Sequence, residues 1–272
     1  MSKKSETGSF FWFLIKLVVI VVAFRSLVIS PFSIPSESMQ PRLLIGDYLF
    51  VSKWSYGYSR YSFPFHPDLF EGRIMGRLPE RGDVVVFAAP RNTGEDWIKR
   101  VIGLPGDRIQ IREGITYLNG RPVPKQRVAD LVIPVTDNMI AAARAERALS
   151  PCFRPDFEFA DAKGKRFCRY PRFRETLPSG KSYEVLDLID GEADNTELFI
   201  VPEGNVFVMG DNRDRSADSR FSLERSGVGM LPTENLVGKA MVSFFSTDGS
   251  ASWLLPWTWF TAARFSRVGE GF

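Results

Sequence analysis

The sequence predicts a mainly β protein with one N-terminal transmembrane helix and an inserted smaller α+β subdomain. Three observations carry that expectation. An apolar run extends from Phe10 to Ile29; short segments rich in Val, Ile and Phe, closed by Gly, Pro and Asn turns, lie on both sides of the middle; and the composition changes between Pro124 and Asn195. A chain of 272 residues, 44% hydrophobic and 25% charged, can bury a sizeable core in one large domain or two small ones. Its formal charge of +3 comes from scattered basic residues, so no nucleic-acid partner is expected. Aromatic residues at 13%, with 23 Phe and 6 Trp, suit a β-rich core and a protein that touches lipid.

Residues 1–9 form a short polar tail bearing Lys3 and Lys4. Residues 10–29 have about the length a helix needs to cross a bilayer. Lys16 and Arg25 interrupt the run, but each lies within about 6–9 Å of an end and can snorkel to the headgroups. A cleavable targeting peptide fits poorly, because Ala23-Phe24-Arg25-Ser26 is a poor cleavage site. The basic tail predicts a single-pass anchor with the tail in the cytoplasm and the remainder outside. From Ile29 to Ser38 the chain can reach at most about 30 Å, so Ser38 is expected close to the membrane surface.

Beyond the anchor, Leu43–Val51 reads as a turn feeding a strand, residues 55–80 as a loop, and Val84–Phe87 and Trp97–Ile102 as strands. Ile109–Leu118 and Arg121–Val123 flank Asn119-Gly120, a type I′ hairpin signal. The segment 124–195 holds the one good helical stretch, Asn138–Leu149, followed by a basic, aromatic region containing Cys152 and Cys168. Strands resume at Leu198–Val201, Val206–Met209 and Leu236–Ser246. The expected division is therefore a β-domain of residues 30–123 and 196–250, an inserted domain of 124–195, and an aromatic tail of 251–272. That tail, beginning Trp253-Leu254-Leu255-Pro256-Trp257, is too short to span. It reads equally as an interfacial segment or as an edge packed on the core. The cysteines lack a Cys-x-x-Cys pairing, so no metal site is expected. They are thiols in a reducing compartment or one disulfide outside it, and the topology favours the bridge.

Two serines bracket the turn Pro35-Ser36-Glu37-Ser38-Met39-Gln40-Pro41. Taken alone, it reads as a turn whose hydroxyls cap their own backbone. The single histidine, His66, sits in a proline-rich loop with nothing around it resembling a triad element. A serine nucleophile would therefore need a lysine base. Lys99, between Trp97-Ile98 and Val101-Ile102, is the candidate, because apolar walls disfavour the ammonium and lower its pKa. Arg100 points to the opposite strand face and can pair with a carboxylate. In Gly210–Arg220, Arg213 and Arg215 occupy positions where calcium-ligating oxygens would belong. This segment reads as a surface turn or as a loop buttressing a site by internal ion pairs.

IPSESMQP, IKRVIGLPGDR and GDNRDRSADSR together closely resemble bacterial type I signal peptidase, a family of membrane-bound Ser–Lys endopeptidases. The resemblance covers the anchor, Phe32–Tyr56, Arg81–Arg108 and Val201–Phe221, and implies the β-fold those enzymes share with SOS repressors. It implies Ser38 as nucleophile and Lys99 as general base. The Ser38 N–H and the Ser36 hydroxyl would form the oxyanion hole, and Ser216 would orient the lysine. Asp211 would pair with Arg100, and Asp218 with Arg220. Phe32, Ile34, Pro35, Met39, Leu43, Val86 and Ile98 would line apolar pockets for an Ala-x-Ala pattern. The implied partners are signal-peptide-bearing preproteins and membrane lipids, at the outer face of a bacterial plasma membrane, with no cofactor. Glu37, where a small residue is common, and Arg42, where a threonine is common, depart from the pattern.

Overall fold

The computed structural model describes residues 3–68, 70–252 and 254–272, with side chains from Gly8 onward. The side chains of Lys3 and Lys4, and all of Trp253, lie outside the described residues. Helix α1 (Lys3–Leu27) is apolar all round from Phe10 and exposed to its surroundings. Its stretch Gly8–Leu27, with a mean hydropathy of 2.2, is long and apolar enough to cross a membrane. The helix ends two residues short of Ile29, which instead opens the first strand.

That strand, β1 (Ile29–Ser33), is followed by β2 (Asp47–Ser52), β3 (Val84–Ala89) and β4 (Asn92–Gly103). Next come β5 (Arg108–Arg112), β6 (Ile115–Leu118) and β7 (Arg121–Pro122). β8 (Lys125–Pro134), α2 (Asp137–Ala145), β9 (Glu158–Ala160), β10 (Arg166–Thr176) and β11 (Ser182–Leu186) form the middle of the chain. β12 (Phe199–Ile200), β13 (Asn205–Met209), β14 (Leu231–Pro232), β15 (Leu236–Ser246) and α3 (Thr258–Ala262) complete it.

The main sheet has seven strands in the order β1-β2-β15-β3-β4-β13-β14, with every described pairing antiparallel. Pro31 sits in β1, at the sheet edge, where a missing N–H leaves no ladder bond unmade. The run VVVFAA of β3 is continuously apolar because both of its faces are covered. Val84 and Val86 join one core cluster with Ile34, Met39, Leu43 and Leu49, while Val85 and Phe87 join another with Val101 and Val208.

β8, β9, β10 and β11 form a second sheet, with α2 beside it. Thr136 caps α2 by accepting from the Met139 N–H. Under α2 lies a third core containing Met139, Tyr170 and the Cys152–Cys168 disulfide. A small sheet, β12-β5-β6-β7, packs through Ile109, Ile111 and Leu118 on Phe207, Met209 and Val185, joining the insertion to the main sheet.

The expected strand Ile109–Leu118 is in fact two. Glu113 and Gly114 both adopt positive φ, making a second tight turn ahead of the one at Asn119-Gly120. The chain end also folds back. Gly271 bridges to Val242, and Arg264 and Arg267 reach the buried Asp47 at 3.3 and 2.6 Å. Leu254, Trp257 and Phe260 remain exposed.

Candidate active site

Ser38 lies five residues beyond β1 at one edge of the main sheet, whereas Lys99 is on β4, fifth in strand order. The sheet curls enough to bring Lys99 Nζ within 2.9 Å of Ser38 Oγ. Both are buried, Ser38 at 6% and Lys99 at 5% exposure. The amine also donates to the Ile98 carbonyl at 2.9 Å, and the Trp97 ring lies 5.7 Å from it. Burial lowers the Lys99 pKa to about 8, against the opposing pull of Asp218 and Asp211. A neutral amine is therefore accessible near neutral pH, with its lone pair within reach of a hydroxyl proton.

The segment 210–220 holds this arrangement from behind. The Asn212 N–H donates to the Ser38 carbonyl at 3.1 Å. Gly210 is required there, since a Cβ would fall 2.6 Å from that carbonyl and 2.3 Å from Ser216 Oγ. Arg100 grips Asp211 through two bonds of 2.7 and 2.6 Å and donates to the Gly82 carbonyl. Arg220 holds Asp218 at 2.9 and 3.0 Å. Burial works against the Asp218 charge, but Arg220 outweighs it and keeps the carboxyl below the usual range.

Ser216 is placed differently from what the resemblance implies. No hydrogen bond joins it to Lys99; its hydroxyl lies instead beside Asp218 and helps hold that carboxyl below the usual range. The second acceptor for the lysine is instead the Ile98 carbonyl. Ser36 Oγ is 3.4 Å from Ser38 Oγ. Phe32, Ile34, Pro35, Val86 and Ile98 line a cleft of about 460 Å³ that also borders Ser38 and Lys99. Met39 and Leu43 do not line it. Both are fully buried in the core beneath, where they support the floor and cannot touch a ligand. His66 is also away from the cleft, packed edge-on against Tyr61.

Two links to the insertion were not legible in sequence. Arg213 pairs with Glu175 of β10 at 2.5 Å, and Glu175 also accepts from Tyr183. Arg215 bonds both Glu37, between the two serines, and Glu146, just beyond α2, and stacks on Phe153. Burial raises the Glu37 pKa despite its bond to Arg215. Only the opposite charges of these residues hint at the pairing, and they lie far apart in the chain.

The family model described as "Signal peptidase, peptidase S26" matches residues 7–245. The chain belongs to the signal peptidase family. The signal peptidase I of Rickettsia prowazekii is 36% identical over 253 residues, covering 90% of this chain and 81% of that protein. The signal peptidase I of Rickettsia typhi is 37% identical over 254 residues, again covering 90% and 81%. A crystal structure of a signal peptidase I from Enterococcus faecalis is 26% identical and covers 60% of this chain and 97% of that one. Its TM-score of 0.29 carries no argument about the fold. Membership makes this chain a serine-type, membrane-associated signal peptidase that acts on preproteins.

Proposed function

We propose that the chain cleaves signal peptides after an Ala-x-Ala pattern, with Ser38 as nucleophile and Lys99 as general base, at the outer face of a bacterial plasma membrane. Neutral Lys99 accepts the Ser38 proton as Oγ attacks the scissile carbonyl. The Ser38 N–H, which donates to no backbone carbonyl among the described residues, and the Ser36 hydroxyl stabilise the oxyanion. The lysine then gives its proton to the departing amine, and later takes one from the water that cleaves the acyl-enzyme. The observation that carries this reading is the 2.9 Å contact between a buried amine and a buried hydroxyl at the end of an open cleft.

The cleft also suits an extended peptide. β1 has an unpaired outer edge, and among the described residues β13 pairs β4 only from Arg100 onward. Two strand edges, residues 32–36 and 95–99, thus face one gap, and a substrate strand between them could bond to both. Apolar walls close to Ser38 favour small side chains at the positions before the scissile bond.

The test is cleavage of a preprotein bearing Ala-x-Ala by the full-length enzyme. Cleavage should stop when the residue before the scissile bond is changed from Ala to Leu, and in Ser38→Ala and Lys99→Ala. Undiminished turnover in either variant would remove the assignment. A reporter fused after residue 272 should be active only outside the cytoplasm.

A further inference from the structure

We propose that a second cavity, where α1 enters the β-domain, binds the phosphate-bearing headgroup of an anionic phospholipid through Lys53 and Arg25. The cavity has a volume of about 840 Å³ and opens between the outer end of α1 and the loop carrying Phe63 to Asp68.

Lys53 is the residue that points to a ligand. It is 5% exposed, yet its amine forms no hydrogen bond and no ion pair among the described residues. The Phe32 ring lies 5.9 Å from it. Burial lowers its pKa to about 8, with Asp96 opposing and Arg25 and Arg73 assisting, so it still carries its charge at neutral pH. A charged amine that lines the cavity, bonded to no described group and opposed only by the field of Asp96, calls for an anion.

The charges lining the cavity fix what kind. Arg60 is engaged by Asp68 at 2.5 Å, so that pair cancels. Lys53 and Arg25 then remain against Asp96 alone among the lining carboxylates and basic side chains, a surplus of one positive charge. A phosphodiester carries one negative charge and offers several acceptor oxygens, which balances the site.

Position identifies the source as lipid. Arg25 lies two residues from the end of α1, at the depth where a spanning helix meets the headgroups. The Lys53 N–H donates to the Val28 carbonyl at 3.0 Å, which holds the start of that side chain one residue beyond the helix. Val21 and Val22 add an apolar wall on the bilayer side. Phe65, fully exposed, presents its ring at the same rim with no protein packed on it.

The experiment reads lipid retention without cleavage, so its failure is distinct from failure of the dyad. Full-length protein in neutral detergent is incubated with phosphatidylglycerol, with phosphatidylcholine or with inorganic phosphate, then examined by native mass spectrometry. The expected result is one retained phosphatidylglycerol per chain, with weaker retention of phosphatidylcholine. Affinity should fall about tenfold in Lys53→Gln and in Arg25→Gln, and persist in Lys53→Arg. Arg25 is exposed on the helix, so its variant keeps the test valid if Lys53→Gln fails to fold. Equal retention by the wild type and both glutamine variants would overturn the proposal. So would inorganic phosphate competing as well as the lipid, which would mark a free-phosphate site. A raised KM for preprotein in Lys53→Gln with lipid retention unchanged would mark the cavity as a substrate channel instead.

Discussion

Lys99 and Lys53 have nearly the same physical environment and opposite chemical settings. Each is 5% exposed, each is brought to about 8 by burial, and each has an aromatic ring within 6 Å of its amine. The Lys99 amine donates to a serine hydroxyl and a backbone carbonyl, whereas no hydrogen bond of the Lys53 amine is found among the described residues. Desolvation by a β-domain is thus enough to prepare a neutralisable amine. In the proposed mechanism, a hydroxyl at bonding distance and a cleft leading to it distinguish the amine that acts as a base.

The largest effect that could break this contrast is loss of the dyad. Ser38→Ala and Lys99→Ala should each lower kcat/KM by about four orders of magnitude or more, and the double variant no further, because the two act as one unit. Additive losses in single-turnover cleavage would show that Lys99 works apart from Ser38.

Next is the carboxylate behind Lys99. Asp211→Asn leaves the buried Arg100 without its partner and should destabilise the fold by about 3–5 kcal/mol, read by denaturant unfolding. It also removes a charge that holds the Lys99 pKa up, so the alkaline-rising limb of activity should move to lower pH.

A smaller effect is expected at Glu37. Glu37→Ala frees the turn between the serines from Arg215, and should lower kcat about tenfold with KM little changed. An unchanged kcat would show that the turn is held by its own backbone.

The finest test is the pH profile. A base must be neutral, so kcat/KM should rise about tenfold per pH unit up to about 8 and then level off. Lys53→Gln should leave that midpoint in place, whereas a shift would mean that the limb belongs to both amines.

Most of this site was legible because its parts are short and local. Ser38, Lys99, Arg100, Asp211, Asp218 and Arg220 all fall in three short segments. Residue types alone suggest a lysine among apolar walls and internal ion pairs, while the resemblance of the segments to signal peptidases supplies the role of Ser38 and the pairings Asp211–Arg100 and Asp218–Arg220. The strands were legible from their apolar runs, and β15 spans the expected Leu236–Ser246. What the sequence hid was long-range or a matter of small angles. Nothing near Asp47 announces that Arg264 and Arg267 return to it across more than two hundred residues. The Glu113-Gly114 turn lay inside a run that alternates like a single strand. Met39 and Leu43 sit beside the nucleophile in sequence, but the turn buries them beneath the cleft. Ser216 packs against Gly210 in space yet makes no hydrogen bond to the lysine, a placement that the order of residues does not reveal.

The junction between helix and β-domain has no slack. The Lys53 N–H reaches the Val28 carbonyl, the Tyr58 hydroxyl reaches that of Leu27 at 2.8 Å, and the Ser30 hydroxyl reaches that of Arg25 at 2.5 Å. A domain mounted this way does not swing on a tether: the distance from the end of α1 to Ser38 is set by the fold, as a bracket sets the reach of a tool.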